Sequence, residues 1–111
     1  GTLTAQSAIV DGANGVDGLA GATCIVLSSD GNFAYVTAQT DNSISWFSRD
    51  TNTGTLSYVD SIYNTDSGVY ALHSAQRVIL SPDEAFAYVT SEGDDSVSWY
   101  ERNASTGALT Y

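Results

Sequence analysis

Short apolar segments alternate with short polar ones along the whole chain, and the apolar segments are rich in aromatic and β-branched residues. Residues 33–37 are of this kind, and residues 43–47 alternate serine with large apolar side chains, which predicts a strand with one buried face. The unbroken apolar run at 24–27 predicts a strand buried on both faces. Polar segments at 29–32 and 39–42 predict tight turns between these strands. No segment has sustained helical periodicity, so the pattern predicts an all-β fold.

The same pattern occurs twice in a fixed register. The tripeptide at 1–3 recurs at 54–56 and, with one change, at 107–109, so the copies are 53 positions apart (54 − 1 and 107 − 54). The strand predicted at 33–37 likewise returns at 86–90. About two positions in five are identical between the copies, which indicates a true internal repeat. Four short strands in a period of this length are typical of a β-propeller blade.

The repeat divides the chain into residues 1–53, residues 54–106 and the start of a third copy at 107–111. Each copy begins with the fourth strand of one blade and continues with three strands of the next. We therefore predict two four-stranded antiparallel sheets, as a partial propeller or as part of a ring closed by several chains. The first of these strands, at 3–10, is expected to complete a blade of a neighbouring chain by strand addition. A β-sandwich of about eight strands is the alternative, but it does not explain a gapless repeat.

The second copy contains a Ser81-Pro82-Asp83-Glu84 turn, a Tyr88-Val89-Thr90 strand, an Asp-x-Ser-Val segment from Asp94, and a Thr106-Gly107-Ala108-Leu109 turn. In the first copy Ser29 stands where the pattern has proline. These motifs resemble the YVTN-type, lactonase-like β-propeller repeats, a family that includes proteins similar to 6-phosphogluconolactonase. The resemblance implies a ring of roughly six to eight blades. It identifies no catalytic residue, because the matching positions lie in turns and in the core.

The chain is strongly acidic, with a formal net charge of −10 from thirteen acidic residues against three arginines and no lysine. This charge repels a phosphate backbone and anionic lipid headgroups, so we exclude nucleic-acid binding and expect no membrane insertion. The expected partners are further propeller blades, in the same chain or through a homotrimer or homotetramer. We predict an extracellular, periplasmic or cell-surface location.

The glycine-rich connection at 10–22 offers one set of candidate metal ligands. Asp11, Asn14 and Asp17 could supply oxygen atoms to Ca²⁺. Their spacing, however, lacks the alternating acidic pattern and the closing glutamate of a calcium loop. We therefore expect a loop whose backbone conformations require glycine, with no bound metal and no cofactor.

Four other residues have chemically useful side chains. The single histidine, His73, could act as a general base with the nearby Asp66, although a solvated loop histidine is the favoured interpretation. Trp46 and Trp99 could stack on sugars, but their equivalent positions in the two copies favour contacts between blades. The single cysteine, Cys24, lies in an apolar run and is expected to belong to the core.

The sequence favours a non-catalytic propeller segment that acts as an extracellular scaffold or interaction module. A fragment of a lactonase-type enzyme is the first alternative and a carbohydrate-binding propeller is the second. No catalytic, cofactor-binding or metal-binding residue is assigned. The two copies differ at 10–22 and 63–76, and we expect functional residues to lie there or in blades that this chain does not contain. Asn103 begins an Asn-Ala-Ser sequon, which matters only in a eukaryotic secretory pathway.

Overall fold

The computed structural model describes the backbone of residues 1–111 and every side chain except that at position 67. Sheet 1 is formed by β1 (Ala22–Leu27), β2 (Phe33–Ala38), β3 (Ser43–Arg49) and β4 (Leu56–Tyr63). Sheet 2 is formed by β5 (Ala75–Leu80), β6 (Phe86–Ser91), β7 (Ser96–Arg102) and β8 (Leu109–Thr110). A 3₁₀ turn, Asp66–Gly68, interrupts the connection between the sheets. The predicted all-β fold with two four-stranded antiparallel sheets is confirmed.

The sequence repeat is also a repeat of strand register. Tyr35 pairs with Trp46 between β2 and β3, and Tyr88 pairs with Trp99 between β6 and β7. The first two strands of each sheet also share a register shift at corresponding positions, in β1 and again in β5. Equivalent residues of the two copies therefore point to equivalent faces of their sheets.

The N-terminal segment does not form the strand predicted at 3–10, because the first strand of the structure begins at Ala22. A strand needs a neighbouring edge to satisfy its backbone groups. The blade to which this segment would belong is not formed by the described residues. Instead, Ile9 packs against the apolar side chains of sheet 1 together with Leu19.

The run at 24–27 is buried on one face only in the structure, not on both faces as predicted. Cys24 and Val26 are half-buried against the apolar cluster between the sheets, whereas Ile25 is 56% exposed and Leu27 is 46% exposed. Sheet 2 covers only one face of β1, so alternate residues of the strand differ in exposure. Cys24 thus contributes to the edge of the core, as expected from its apolar surroundings.

The main core lies between the two sheets. From sheet 1 it contains Phe33, Tyr35, Ile44 and Trp46, from the connection between sheets Val69 and Leu72, and from sheet 2 Val78, Ala87, Val89, Tyr100 and Leu109. β1 and β2 lie beside β5. The Thr23 hydroxyl donates to the Ala75 carbonyl at 3.1 Å, which links the first strands of the two sheets. This face-to-face arrangement, with the first strands adjacent, is that of neighbouring propeller blades.

The connections collect at two opposite edges of the sheets. The loop edge carries the segments 10–21, 39–42, 64–74 and 92–95, and the turn edge carries the short turns between the first and second and between the third and fourth strands. At the loop edge, the Ala20 carbonyl accepts the backbone N–H groups of Thr40 and Asp41, both at 3.1 Å. The segments in which the two copies differ most therefore share one edge of the molecule.

Candidate functional site

Three carboxylates meet at the loop edge of sheet 1. Oxygen atoms of Asp11, Asp17 and Asp41 all lie within 4.8 Å of one another. Asp11 and Asp17 are among the candidate ligands predicted from the sequence, whereas Asp41 was missed. Asp41 lies on another connection, so only the fold brings it to the other two.

Each of these carboxylates also holds the loop in place by accepting a backbone N–H. Asp11 accepts from Leu19 at 2.8 Å, and Asp41 accepts from Ala20 at 2.8 Å. Gly18 has a φ of +86°, and an added Cβ would lie 2.6 Å from the Ser45 hydroxyl. The backbone geometry at this position thus requires glycine, as predicted for the segment. That the loop binds no metal stays a prediction.

At the loop edge of sheet 2, the structure pairs His73 with an aspartate other than Asp66. The backbone N–H of His73 donates to Asp94 at 2.9 Å, and its Nδ1 lies 4.0 Å from the same carboxylate. Asp66 instead accepts the backbone N–H of Tyr63 at 3.0 Å. His73 and Asp66, the less favoured interpretation of this histidine, are therefore not paired in the structure. Asp94 occupies the position of Asp41 in the first copy, which is a signal that comparison of the repeats could have provided.

A third polar group lies where the two sheets meet. The Gln76 side-chain amide, at the start of β5, donates to Gln39 of sheet 1 at 2.9 Å and to Glu92 at 3.3 Å. It also lies 3.4 Å from the Ser74 hydroxyl. We call these four residues the Gln76 cluster. The cluster lies at the loop edge where β5, the first strand of sheet 2, meets sheet 1. We call this place the inner corner of the loop edge.

The loop edge is negatively charged. Besides the three clustered aspartates it contains Asp66, Glu92, Asp94 and Asp95. Arg49 and Arg102 end the third strands at the opposite, turn edge, and Arg77 lies on β5. Burial beside acidic groups, Asp17 in particular, raises the pKa of the Tyr63 phenol.

The remaining candidates lie in different environments. Trp46 is 4% exposed between the sheets, so its predicted role in contacts between blades is confirmed. Trp99 is 61% exposed, and no second sheet covers it within the described residues. Asn103 lies at the turn edge, where its side-chain oxygen accepts the backbone N–H of Ser105 at 2.9 Å and that of Thr106 at 3.1 Å.

A family model described as "Lactonase, 7-bladed beta-propeller" matches residues 1–111. The match covers both sheets and the loop edge. This chain belongs to the lactonase family of seven-bladed β-propellers. The resemblance seen in the repeat motifs is thereby confirmed. No protein among those with curated functions matches the chain significantly.

Solved structures show the same two-sheet arrangement within longer chains. The periplasmic gluconolactonase of Pseudomonas aeruginosa is 25% identical over 78% of this chain and 24% of its own, with a TM-score of 0.66. A candidate 6-phosphogluconolactonase from Bacteroides uniformis is 25% identical over 86% of this chain and 27% of its own, with a TM-score of 0.71. A Lactobacillus plantarum protein is 27% identical over 78% of this chain and 25% of its own, with a TM-score of 0.67.

The chain thus spans about a quarter of the length of these structures. These comparisons favour the lactonase-type alternative over the scaffold hypothesis. Among the described residues, none of the helical structure is long and apolar enough to cross a bilayer.

Proposed function

We propose that this chain is a two-sheet segment of a propeller that hydrolyses an uncharged sugar-acid lactone at the loop edge. The observation that carries the proposal is membership of the lactonase family across residues 1–111. The similarity to a gluconolactonase supports the substrate class. The Gln76 cluster supplies polar groups at the inner corner, where loops of several blades can converge on one ligand.

Lactone hydrolysis requires a group that accepts a proton from water and donors for the developing carbonyl oxyanion. Water adds to the ester carbonyl as the base takes one of its protons. The ring C–O bond then breaks, and the base returns that proton to the ring oxygen, which leaves as a hydroxyl. Glu92 is the residue that we assign as proton acceptor, since its exposed carboxylate is oriented by the Gln76 amide at 3.3 Å. Gln39 has an amide at the same corner that can donate to the substrate. His73, beside Asp94, is the second candidate base.

The charge distribution supports an uncharged lactone over a phosphorylated one. The loop edge holds seven carboxylates, including the Asp11, Asp17 and Asp41 group, and a phosphate would be repelled there. Arg49 and Arg102 are at the turn edge and cannot pair with a ligand at the loop edge. A neutral sugar lactone avoids this repulsion, and its hydroxyl groups suit amide and carboxylate partners.

The test is a pH-stat assay in which base consumption reports hydrolysis of glucono-1,5-lactone above its spontaneous rate. We expect Glu92→Gln to lower kcat by roughly 10²-fold, the usual contribution of a general base. Glu101→Gln, an exposed exchange on β7, is the matched control and should leave kcat unchanged. The phosphorylated lactone should be the poorer substrate at low ionic strength.

A second readout covers the case in which turnover needs more blades than this chain supplies. The lactone should shift the NMR side-chain amide signals of Gln39 and Gln76 even without turnover. No acceleration together with unshifted amide signals would contradict the proposal and favour the scaffold role. A periplasmic or extracellular setting stays a prediction.

A further inference from the structure

Equivalent residues of the two repeats differ in exposure on one face of their sheets. Trp46 is 4% exposed and its equivalent Trp99 is 61% exposed; Ile44 is 0% exposed and its equivalent Val97 is 57% exposed. The residue types are the same or similar, so the difference arises from what covers them. Sheet 2 covers this face of sheet 1, while the corresponding face of sheet 2 is open. We call the open surface the tail face, and it consists of Ile79, Tyr88, Val97 and Trp99.

The surface of sheet 2 that contacts sheet 1 also has an equivalent elsewhere in the chain. Val78 and Tyr100, which are 2% and 0% exposed, belong to this contact. Their equivalents Ile25 and Phe47 lie on the outer face of sheet 1, which we call the head face. It consists of Ile25, Leu27, Ala34, Val36, Phe47 and Leu56.

The head face is only partly covered. An apolar groove of about 760 Å³ lies along it, lined by Ile25, Val36 and Phe47 and by residues 6–9. Ile9 contacts the centre of this face, whereas Ile25 remains 56% exposed. The chain therefore carries both halves of its internal sheet-to-sheet contact a second time, with one half open and the other partly open.

The polar part of the internal contact is duplicated as well. Inside the chain, Arg102 donates from Nε to the Tyr35 hydroxyl at 2.6 Å and from Nη1 to the Glu84 carbonyl at 3.1 Å. In the first copy, Arg49 donates from Nη1 to the Gly31 carbonyl, also at 3.1 Å. Arg49 is thus anchored in the same way as Arg102.

We propose that copies of this chain associate head to tail, with the tail face of one copy docked on the head face of the next. In this contact Tyr88 of the first copy accepts a hydrogen bond from Arg49 of the second and donates to the Gly54 carbonyl. These three residues are the equivalents of Tyr35, Arg102 and Gly107, which make the same contacts inside the chain.

A second copy is the occupant that the structure supports, because it presents a surface of the kind already bound within the chain. The contact joins unlike faces, so each added copy leaves one head and one tail free, and assembly can continue. The charge of −10 per chain opposes this association. Added salt should therefore strengthen it, through both screening and apolar burial.

The test is sedimentation velocity over a range of concentrations at moderate salt. The unchanged chain should show a mass that rises with concentration. Trp99→Glu blocks the tail and Ile25→Glu blocks the head, and each variant alone should stay monomeric. Mixed together, the two variants should form a 1:1 dimer in which the intact tail of Ile25→Glu docks on the intact head of Trp99→Glu. The two faces left over are both blocked, so the dimer should grow no further.

Controls distinguish this contact from non-specific association. Tyr70 is 68% exposed in the connection 64–74, outside both faces, so Tyr70→Glu should associate like the unchanged chain. Tyr88→Phe should weaken association about tenfold, the value of one hydrogen bond to a charged group. The exchanged apolar residues are exposed, so circular dichroism should show folded variants. A chain that stays monomeric at all concentrations, or an Ile25→Glu variant that still dimerises, would overturn the proposal.

Discussion

The hydroxyl of Tyr35 lies 2.6 Å from Nε of Arg102 and joins the two sheets across their buried contact. The same hydroxyl donates to the Gly107 carbonyl at 2.6 Å, and the guanidinium carbon lies 5.6 Å from the centre of the Phe33 ring. Burial raises the pKa of the Tyr35 phenol, although hydrogen bonding to Arg102 opposes the shift. The phenol therefore keeps the proton that it donates to Gly107. An arginine in this position needs such partners, because an unpaired buried charge is costly.

Loss of the Tyr35 hydroxyl should destabilise the chain. We expect Tyr35→Phe to lower the free energy of unfolding by about 1–3 kcal/mol, because it leaves the Arg102 Nε–H without its partner. Urea unfolding at low protein concentration measures the change. Tyr88→Phe removes the equivalent hydroxyl from the open face and should cost well under half as much. Equal losses in the two variants would show that the hydroxyl does not act through Arg102.

Substitution of two glycines at equivalent turns distinguishes the cost of backbone strain from the cost of a steric clash. Gly54 and Gly107 have φ values of +78° and +76°. Alanine at either position should cost about 1–2 kcal/mol through its left-handed conformation alone. At Gly107 the added Cβ would also collide with the Phe33 ring, whereas at Gly54 the nearest atom lies 3.9 Å away on Arg49.

Gly107→Ala should therefore lose roughly 1–3 kcal/mol more than Gly54→Ala, the usual cost of overpacking. Thermal melting at one pH compares the two variants directly. The same loss at both positions would mean that Phe33 moves aside without cost.

The buried tyrosines should make the fold sensitive to alkali. Burial raises the pKa of Tyr100 to about 12, and it also raises the pKa of Tyr35. The unfolded tyrosines lose their protons near pH 10. Between these values the unfolded chain binds fewer protons than the folded chain, so stability is complete below about pH 10 and falls as the pH rises. Urea titrations at several alkaline pH values should show this slope, and Tyr100→Phe should make it shallower. An unchanged slope in that variant would contradict the assignment.

Two aspartates in equivalent turns should contribute to acid sensitivity. The Ser28 hydroxyl donates to Asp30 at 2.6 Å and the Ser81 hydroxyl donates to Asp83 at 2.5 Å, and these bonds lower the pKa of both carboxyl groups. Their stabilising effect is present above the ordinary aspartate pKa and is lost as the pH falls through the lowered values.

The double variant Asp30→Asn, Asp83→Asn should thus lose less stability than the unchanged chain between about pH 4 and pH 2. Thermal melts across this range measure the difference. Parallel melting curves for the two proteins would show that other carboxyl groups dominate acid unfolding.

Much of the fold could be predicted from the repeat. The strands containing Tyr35 and Tyr88 lie where the pattern places them, because side-chain alternation and turn residues are local properties. The candidate site was predicted less well. Asp41 and Asp94 were missed because their partners lie on other connections, 21 positions away in the bonds to Ala20 and His73.

The sequence by itself determined the period, the strands and the equivalence of the two copies, since these depend on neighbouring residues. It could not determine the exposure of equivalent side chains such as Trp46 and Trp99, because burial depends on which surface covers each face. Only the tertiary structure decided that sheet 2 covers one face of sheet 1, that residues 3–10 form no strand, and that Gln76 bridges Gln39 and Glu92. Burial and side-chain partners are properties of the packed sheets, so the same residue type can be buried in one copy and exposed in the other.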